Sequence, residues 1–103
     1  MVLSIETKEI LHEVRDNYLL LSIINTLQPV KKEAILAGIS RTATREALSR
    51  AAERLLEGGE LIRLRDGRLF VSNTGRKMFG RGPLSRERDV ERMSHLIRST
   101  KEG

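Results

Sequence analysis

The dipeptide Asp66-Gly67 lies between two short runs of apolar and basic residues, and it is a strong signal for a two-residue hairpin turn. Folding about this turn predicts four facing pairs: Arg65 with Arg68, Leu64 with Leu69, Arg63 with Phe70, and Ile62 with Val71. Neighbours along a strand alternate between the two faces of a sheet. One face is therefore expected to be wholly apolar (Ile62, Leu64, Leu69, Val71) and the other basic. A slip of one residue would mix the faces, so the pattern predicts a definite register.

Two helices joined by a tight turn are predicted before this hairpin. Gly38 lies where a short first helix would end, and a left-handed C-cap suits a residue without a Cβ atom. Ser40 or Thr42 can then cap a longer helix, which is predicted from about Arg41 to Glu57. This is the layout of a helix-turn-helix, whose second helix enters the major groove of DNA.

The stretch 34–79 resembles the winged helix-turn-helix domain of small prokaryotic MarR-like and ArsR-like transcriptional regulators. The resemblance is carried by AGIS at 37–40, LLEGGELIRL at 55–64 and LFVSNTGRKMF at 69–79. It implies a mainly α fold with a small β-hairpin wing at 61–72. It also implies a recognition helix in the major groove and a wing on the backbone or minor groove.

The predicted recognition helix has an apolar stripe, formed by Thr44, Leu48, Ala51 and Leu55, and an opposite polar face. Arg45 is the best candidate for a guanine contact, because its guanidinium can bond two acceptors on that base. The residues of this helix predicted to contact DNA are Arg41, Thr42, Arg45, Glu46, Ser49 and Arg50. The alternative is a solvated face on which Arg50 pairs with Glu46 or Glu53. The adjoining turn and wing favour the DNA interpretation.

Basic charge is concentrated in the predicted wing and just after it. The chain has a net charge of +5, and residues 60–82 hold six basic and two acidic residues. We expect Arg63, Arg65 and Arg68 to contact the DNA backbone or minor groove. Two arginines facing each other at the hairpin tip would repel, and a phosphate partner would remove that repulsion. Phe70 is expected to stack under Arg63. The alternative is a basic surface that serves only solubility.

The N-terminal part of the chain is predicted to be helical. A helix is expected from about Thr7, and the segment 17–27 is apolar nearly all round. Asp16 or Asn17 caps a separate second helix, or the two run together. The apolar segment forms either the centre of the domain or a subunit interface. Pro29 ends it and suits the first turn of the next helix.

The C-terminal part is predicted to hold two further helices. A short one with Met78 and Phe79 follows the hairpin, and a flexible joint is expected at 80–83. Ser85 can cap a last helix that ends near Ser99, with Val90, Met93 and Ile97 on one face and Leu96 beside them. We expect one winged helix-turn-helix domain at 1–83. Residues 84–103 then serve packing or dimerisation.

The composition excludes several classes of function. The chain has no cysteine, two isolated histidines and no phosphate-binding glycine motif, so no enzyme activity, cofactor or metal site is expected. Three aromatic residues are too few for a platform that stacks single-stranded bases. No apolar stretch reaches the roughly 18 residues of a membrane span. No signal peptide is evident, so a cytoplasmic location without membrane partners is expected.

The sequence therefore predicts a sequence-specific, double-stranded-DNA-binding protein that acts as a homodimeric transcriptional regulator. The main alternative is a winged-helix module for protein interaction within a larger complex, because a fold does not fix a function. A third interpretation, an enzyme or metal sensor, lacks the residues that such chemistry needs.

Overall fold

The computed structural model describes residues 5–82 and 86–102, which form a mainly helical fold with one small antiparallel hairpin. The elements in chain order are α1 (Ile5–Leu27), α2 (Lys32–Ala37), α3 (Thr42–Glu57), β1 (Leu61–Arg63), β2 (Leu69–Val71), α4 (Asn73–Arg81) and α5 (Glu87–Glu102). None of the helices in these ranges combines the length and the apolar character that crossing a membrane requires.

The core forms where α1 packs against α3 and the hairpin. The two predicted N-terminal segments run together as the single helix α1, whose residues Leu20, Leu21 and Ile24 are fully buried. They meet Leu48 and Leu55 of α3 in one apolar cluster. The apolar spacing of 3.6 residues on both helices therefore brings their buried faces together.

The hairpin has a different register from the predicted one. Leu61 faces Val71 and Arg63 faces Leu69, so every predicted pair is wrong by one residue. The N–H of Leu64 donates to the carbonyl of Arg68 at 2.8 Å, which leaves a loop of three residues, 65–67. Within that loop Gly67 has a φ of +89°. A three-residue loop with a glycine in the left-handed conformation is the next most common hairpin connection after the two-residue turn.

The shifted register changes which side chains the hairpin buries. Leu61, Leu69 and Val71 are buried in the core, whereas Ile62 is 49% exposed and Leu64 is 37% exposed. The predicted apolar face of Ile62, Leu64, Leu69 and Val71 is therefore wrong. Leu61 is buried instead of Ile62, because it stands directly opposite Val71 and shares its face.

The segment before α2 joins the sheet. Val30 and Leu69 exchange both backbone hydrogen bonds, at 3.2 and 2.7 Å. The side-chain oxygen of Gln28 accepts a further bond from the N–H of Val71 at 2.9 Å. Pro29 thus lies in an extended connection, and its predicted place in the first turn of α2 is wrong, since α2 begins at Lys32.

The turn between α2 and α3 also differs in detail from the prediction. Gly38 has φ −83° and ψ −3°, so it ends α2 in a right-handed rather than a left-handed conformation. The N-cap of α3 is Arg41, and no side chain caps this helix end, so neither Ser40 nor Thr42 has the predicted capping role. The predicted span of α3 is confirmed to within one residue.

The helices after the hairpin are present where described. Ser72 caps α4 by accepting a hydrogen bond from the N–H of Gly75 at 3.1 Å, and Met78 is buried. In α5, Val90 is exposed and Met93 is half-buried. The predicted cap Ser85, residue 83 of the predicted joint, and the side chains of Leu96 and Ile97 lie outside the described parts of the chain.

Candidate nucleic-acid interface

The predicted DNA-contacting residues of α3 occupy one exposed side of the helix, with two exceptions. The opposite side, formed by Leu48, Ala51, Ala52 and Leu55, is buried in the core. Arg41, Thr42, Glu46 and Arg50 are exposed, whereas Arg45 and Ser49 are half-buried. The structure therefore places the beginning of the predicted face in contact with solvent.

The exposed side of α3 has Arg41 at its beginning and, further along, Arg50 among acidic residues. Further along the helix it holds Glu46, Glu53 and Glu57, all of them exposed. The carboxylate of Glu53 lies 3.8 Å from the ammonium of Lys32 on α2, a loose surface pair. Glu46 lies near the beginning of α3, next to Arg45, whereas Glu53 and Glu57 lie in its second half.

Arg45 is bonded to the turn that precedes its own helix. Its Nη1 donates to the carbonyl of Ile39 at 2.9 Å and to that of Ser40 at 3.4 Å. Its Nη2 donates to the hydroxyl of Thr42 at 3.2 Å. The guanidinium thus holds the turn against α3, with three of its five N–H groups engaged. The guanine contact stays a prediction.

Arg50 lies beside α1 rather than beside the hairpin. It lines a shallow groove together with residues of the acidic half of α1, among them Glu9, Glu13 and Asp16. Among the described residues it pairs with neither Glu46 nor Glu53, so the Arg–Glu pairs of the alternative interpretation do not form. Among the predicted DNA contacts of α3, Arg50 is thus the one that shares a groove with acidic residues of α1.

The hairpin tip presents three exposed arginines, Arg63, Arg65 and Arg68. Arg68 does not face Arg65 as predicted, because it stands opposite Leu64. Its Nε lies 2.5 Å from Oδ2 of Asp66. The N–H of Arg68 also donates to Oδ1 of Asp66 at 3.0 Å. This backbone bond is the main reason that the pKa of Asp66 is lowered. Desolvation opposes it, and the hydrogen bond and charge of the Arg68 side chain add to the lowering. The predicted repulsion at the tip is therefore replaced by an ion pair.

The start of α2 extends the basic surface of the hairpin. Lys31 is exposed and lines a shallow depression with Arg63 and Gly67. We call Lys31, Arg63, Arg65 and Arg68 the basic wing surface. The contribution of Lys31 was missed, because only the bridge between Val30 and Leu69 brings the preceding segment to the hairpin.

Phe70 has a different cationic neighbour from the one predicted. Arg63 stands opposite Leu69, so it does not cover the ring. The guanidinium carbon of Arg76 on α4 lies 5.5 Å from the ring centroid of Phe70 instead. This distance is within the range of a cation–π contact.

A buried group of polar residues, not foreseen from the sequence, joins α5 to the rest of the fold. We call it the buried polar cluster, and its members are Asn17, Arg54, Glu60, Arg86 and Asp89. Arg86 donates to Glu60 through Nε, to Oδ1 of Asp89 at 3.0 Å and to the carbonyl of Arg54 at 3.0 Å. Asn17 accepts from Arg54 at 3.0 Å and donates to Asp89 at 3.4 Å. The sequence signal was an asparagine inside an apolar run.

Burial and pairing act in opposite directions on the two arginines of this cluster. Burial is the largest influence on Arg86 and disfavours its charge, but the hydrogen bond and charge of Glu60, with Asp89, outweigh it and raise the pKa of Arg86. For Arg54 burial prevails, and its pKa is lowered despite the nearby carboxylates of Glu13, Asp16 and Asp89. The cluster thus stabilises the charge of Arg86, which anchors the beginning of α5.

The described chain is therefore a helix, a short helix, a turn, a longer helix and a hairpin, followed by two helices, with basic groups at the hairpin tip. Comparison of the chain with protein-family models, with curated proteins and with solved structures found no match.

Proposed function

We propose that this chain is a winged helix-turn-helix domain that binds duplex DNA and regulates transcription. The observation that carries the proposal is the basic wing surface. Arg63 and Arg65 are exposed there and form no ion pair with any described residue. Exposed, uncompensated cations at the tip of a hairpin suit the phosphate backbone, which supplies most of the affinity in non-specific DNA binding.

The second part of the proposal concerns α3. The beginning of this helix, with Arg41 and Thr42, lies toward the base edges in the major groove, and Arg45 supports it by holding the turn. Glu46 stays a predicted contact, and Glu53 lies beyond the contact region, where its charge repels the phosphates. This repulsion favours an arrangement in which only the first half of α3 enters the groove.

The experiment is the salt dependence of binding to a duplex of random sequence. In an Arg63→Gln/Arg65→Gln variant, the log–log slope of affinity against salt should flatten by about two units, because two phosphate contacts are lost. The matched control is Lys8→Gln/Arg15→Gln, which removes two exposed positive charges from α1. Equal effects in both variants would contradict a binding role for the wing. Selection of bound sequences from random DNA then reports whether a specific site exists.

The proposed protein acts as a homodimer in the cytoplasm. The observation behind the dimer is an apolar line along α1, where Leu19 is 45% exposed, Ile23 is half-buried and Leu27 is 54% exposed. Residues four apart on a helix share a face, so the three form one strip. Light scattering should report a dimer at micromolar concentration, and Leu19→Glu/Leu27→Glu should yield a folded monomer. A wild-type monomer at that concentration would contradict the dimer.

The alternative function, a winged-helix module for protein interaction, is favoured by one observation. Ile62 and Leu64 are partly exposed on the hairpin beside the arginines. An Ile62→Ser/Leu64→Ser variant separates the two functions, because DNA binding through phosphates should be unaffected. If the hairpin binds a protein partner through these apolar side chains, the affinity of the variant for that partner should fall.

A further inference from the structure

A cavity of about 230 Å³ lies between the end of α3, one face of α4 and the beginning of α5. It contains none of the residues assigned above to DNA contact. Gly58 forms part of its wall after α3, and Met78 provides an apolar patch from α4. Its polar lining includes Thr74, Lys77, Arg81, Arg86 and Arg88.

The cationic side chains around this cavity are of two kinds. Arg86 is buried, and its nitrogen atoms are already bonded to Glu60, Asp89 and a backbone carbonyl. The other three cations, Lys77, Arg81 and Arg88, are exposed and have no hydrogen bond or ion pair to a described side chain. Since the carboxylate of Glu60 is neutralised by Arg86, the described residues that line the cavity carry an excess of positive charge.

The cations are placed on rigid elements rather than on a loop. Lys77 and Arg81 are four residues apart on α4 and so lie on the same side of it, and Thr74 precedes Lys77 by almost one turn. Arg88 belongs to α5, whose beginning is fixed by the buried polar cluster. The backbone positions of the cations are therefore fixed before a ligand binds, and only their side chains have to be ordered.

We propose that this cavity binds a phosphate group. Lys77, Arg81 and Arg88 supply charge-assisted hydrogen bonds, and the hydroxyl of Thr74 supplies a neutral donor. Pockets for drug-sized ligands measure roughly 300–1,000 Å³. A cavity of about 230 Å³ therefore suits one phosphate group with a short organic part. The phosphate belongs either to a free small molecule or to the backbone of a bound duplex. The inference goes beyond the DNA-binding function proposed above and does not depend on it.

The first experiment is a titration of the ¹⁵N-labelled protein with inorganic phosphate, with sodium chloride of equal ionic strength as the reference. Amide signals of residues 74–81 and 86–88 should shift and approach saturation with phosphate only. In an Arg81→Gln/Arg88→Gln variant, the apparent Kd should rise about tenfold or more, because charge-assisted bonds are lost. The matched control is Lys8→Gln/Arg15→Gln on α1, which has the same change in charge and should keep the wild-type Kd.

A thermal melt checks that the variants remain folded. The substituted side chains are exposed, so both double variants should melt close to the wild type in chloride, and Lys77→Gln provides a second, milder variant. Phosphate should raise the Tm of the wild type and of the Lys8→Gln/Arg15→Gln control, since it binds the folded state. The proposal would be overturned if the amide signals of all basic residues shifted in the phosphate titration, or if the shifts grew linearly without saturation. It would also be overturned if the amide shifts persisted in Arg81→Gln/Arg88→Gln.

A second titration, with a duplex of random sequence, identifies the source of the phosphate. If the duplex shifts the amides of 74–81 and 86–88 and inorganic phosphate reverses this, the site takes the DNA backbone. If the duplex leaves these amides unchanged while phosphate still shifts them, the site takes a free phosphorylated molecule. Failure of the duplex to bind at all overturns the DNA proposal and leaves the phosphate titration intact.

Discussion

Arg86 at the beginning of α5 and Glu60 just before β1 form a buried ion pair that joins segments 26 residues apart. Breaking one partner of a buried pair leaves an uncompensated charge, which destabilises a protein by about 3–5 kcal/mol. We therefore expect Arg86→Met to lower the free energy of unfolding by about that amount. Urea denaturation monitored by circular dichroism measures it.

The control for this prediction is a second ion pair of α5, which joins this helix to α1. Arg92 lies 2.6 Å from Glu13, but both side chains are partly exposed. Exposed pairs contribute about 0–1 kcal/mol, so Arg92→Met should have a small effect. Similar losses in both variants would contradict the assigned importance of burial.

Because the pKa of Arg86 is raised, its stabilising effect is present throughout the neutral range. It is lost only as the pH rises through the raised value.

Arg45 is expected to act as a positioning residue. Its guanidinium is bonded to the carbonyls of Ile39 and Ser40, so Arg45→Ala should destabilise the fold by about 1–2 kcal/mol. Affinity for a specific and a scrambled duplex should fall by the same factor. Arg41→Ala is the control for stability, since Arg41 is exposed. A selective loss at one base position would instead support the guanine contact predicted from the sequence.

Gly75 and Gly80 stand on the same helix in opposite environments. A Cβ atom at Gly75 would clash with the carbonyl oxygen of Glu60, whereas one at Gly80 would have nothing within 4 Å. Overpacking against backbone typically costs about 1–3 kcal/mol, so Gly75→Ala should destabilise by that amount or more. Gly80→Ala should stabilise by up to about 1 kcal/mol, because alanine favours helix. Thermal melts compare the two, and equal effects would contradict the close contact.

The lowered pKa of Asp66 should largely survive the loss of the Arg68 side chain. Its main cause is the N–H of Arg68, which remains in Arg68→Ala. Since the pKa is lowered in the folded state, the stability that Asp66 contributes is present above its unfolded pKa. That stability is lost as the pH falls through the lowered value. An NMR titration of the carboxyl carbon measures this pKa. A return to the ordinary value in Arg68→Ala would show that the side chain, not the backbone, dominates.

The sequence predicted the elements better than their contacts. The apolar spacing of Leu48, Ala51 and Leu55 located α3, because core burial follows helical periodicity directly. The hairpin was found but its register was not. Gly67 closes a three-residue loop in which the side chain of Asp66 accepts a hydrogen bond from the N–H of Arg68. Whether the hairpin has this loop or a two-residue turn depends on which residue of β1 the core buries.

The contacts of individual polar side chains were beyond sequence reasoning for a different reason. Arg45 bonds to carbonyls whose positions depend on the path of the turn. Asn17 and Asp89 are 72 residues apart and meet only after α5 packs on α1. Partners that are distant in the chain leave no local pattern, so such pairs require the folded structure.

The bridge between Val30 and Leu69 has a consequence for association between chains. With Val30 on one side and β1 on the other, β2 has both of its edges engaged, and the side chain of Gln28 takes the N–H of Val71. Within the described ranges, β1 is paired on one side only, so its outer side is a sheet edge. That edge is three residues long and ends at an arginine, features that discourage edge-to-edge pairing. The hairpin is thereby protected against growing into a larger intermolecular sheet.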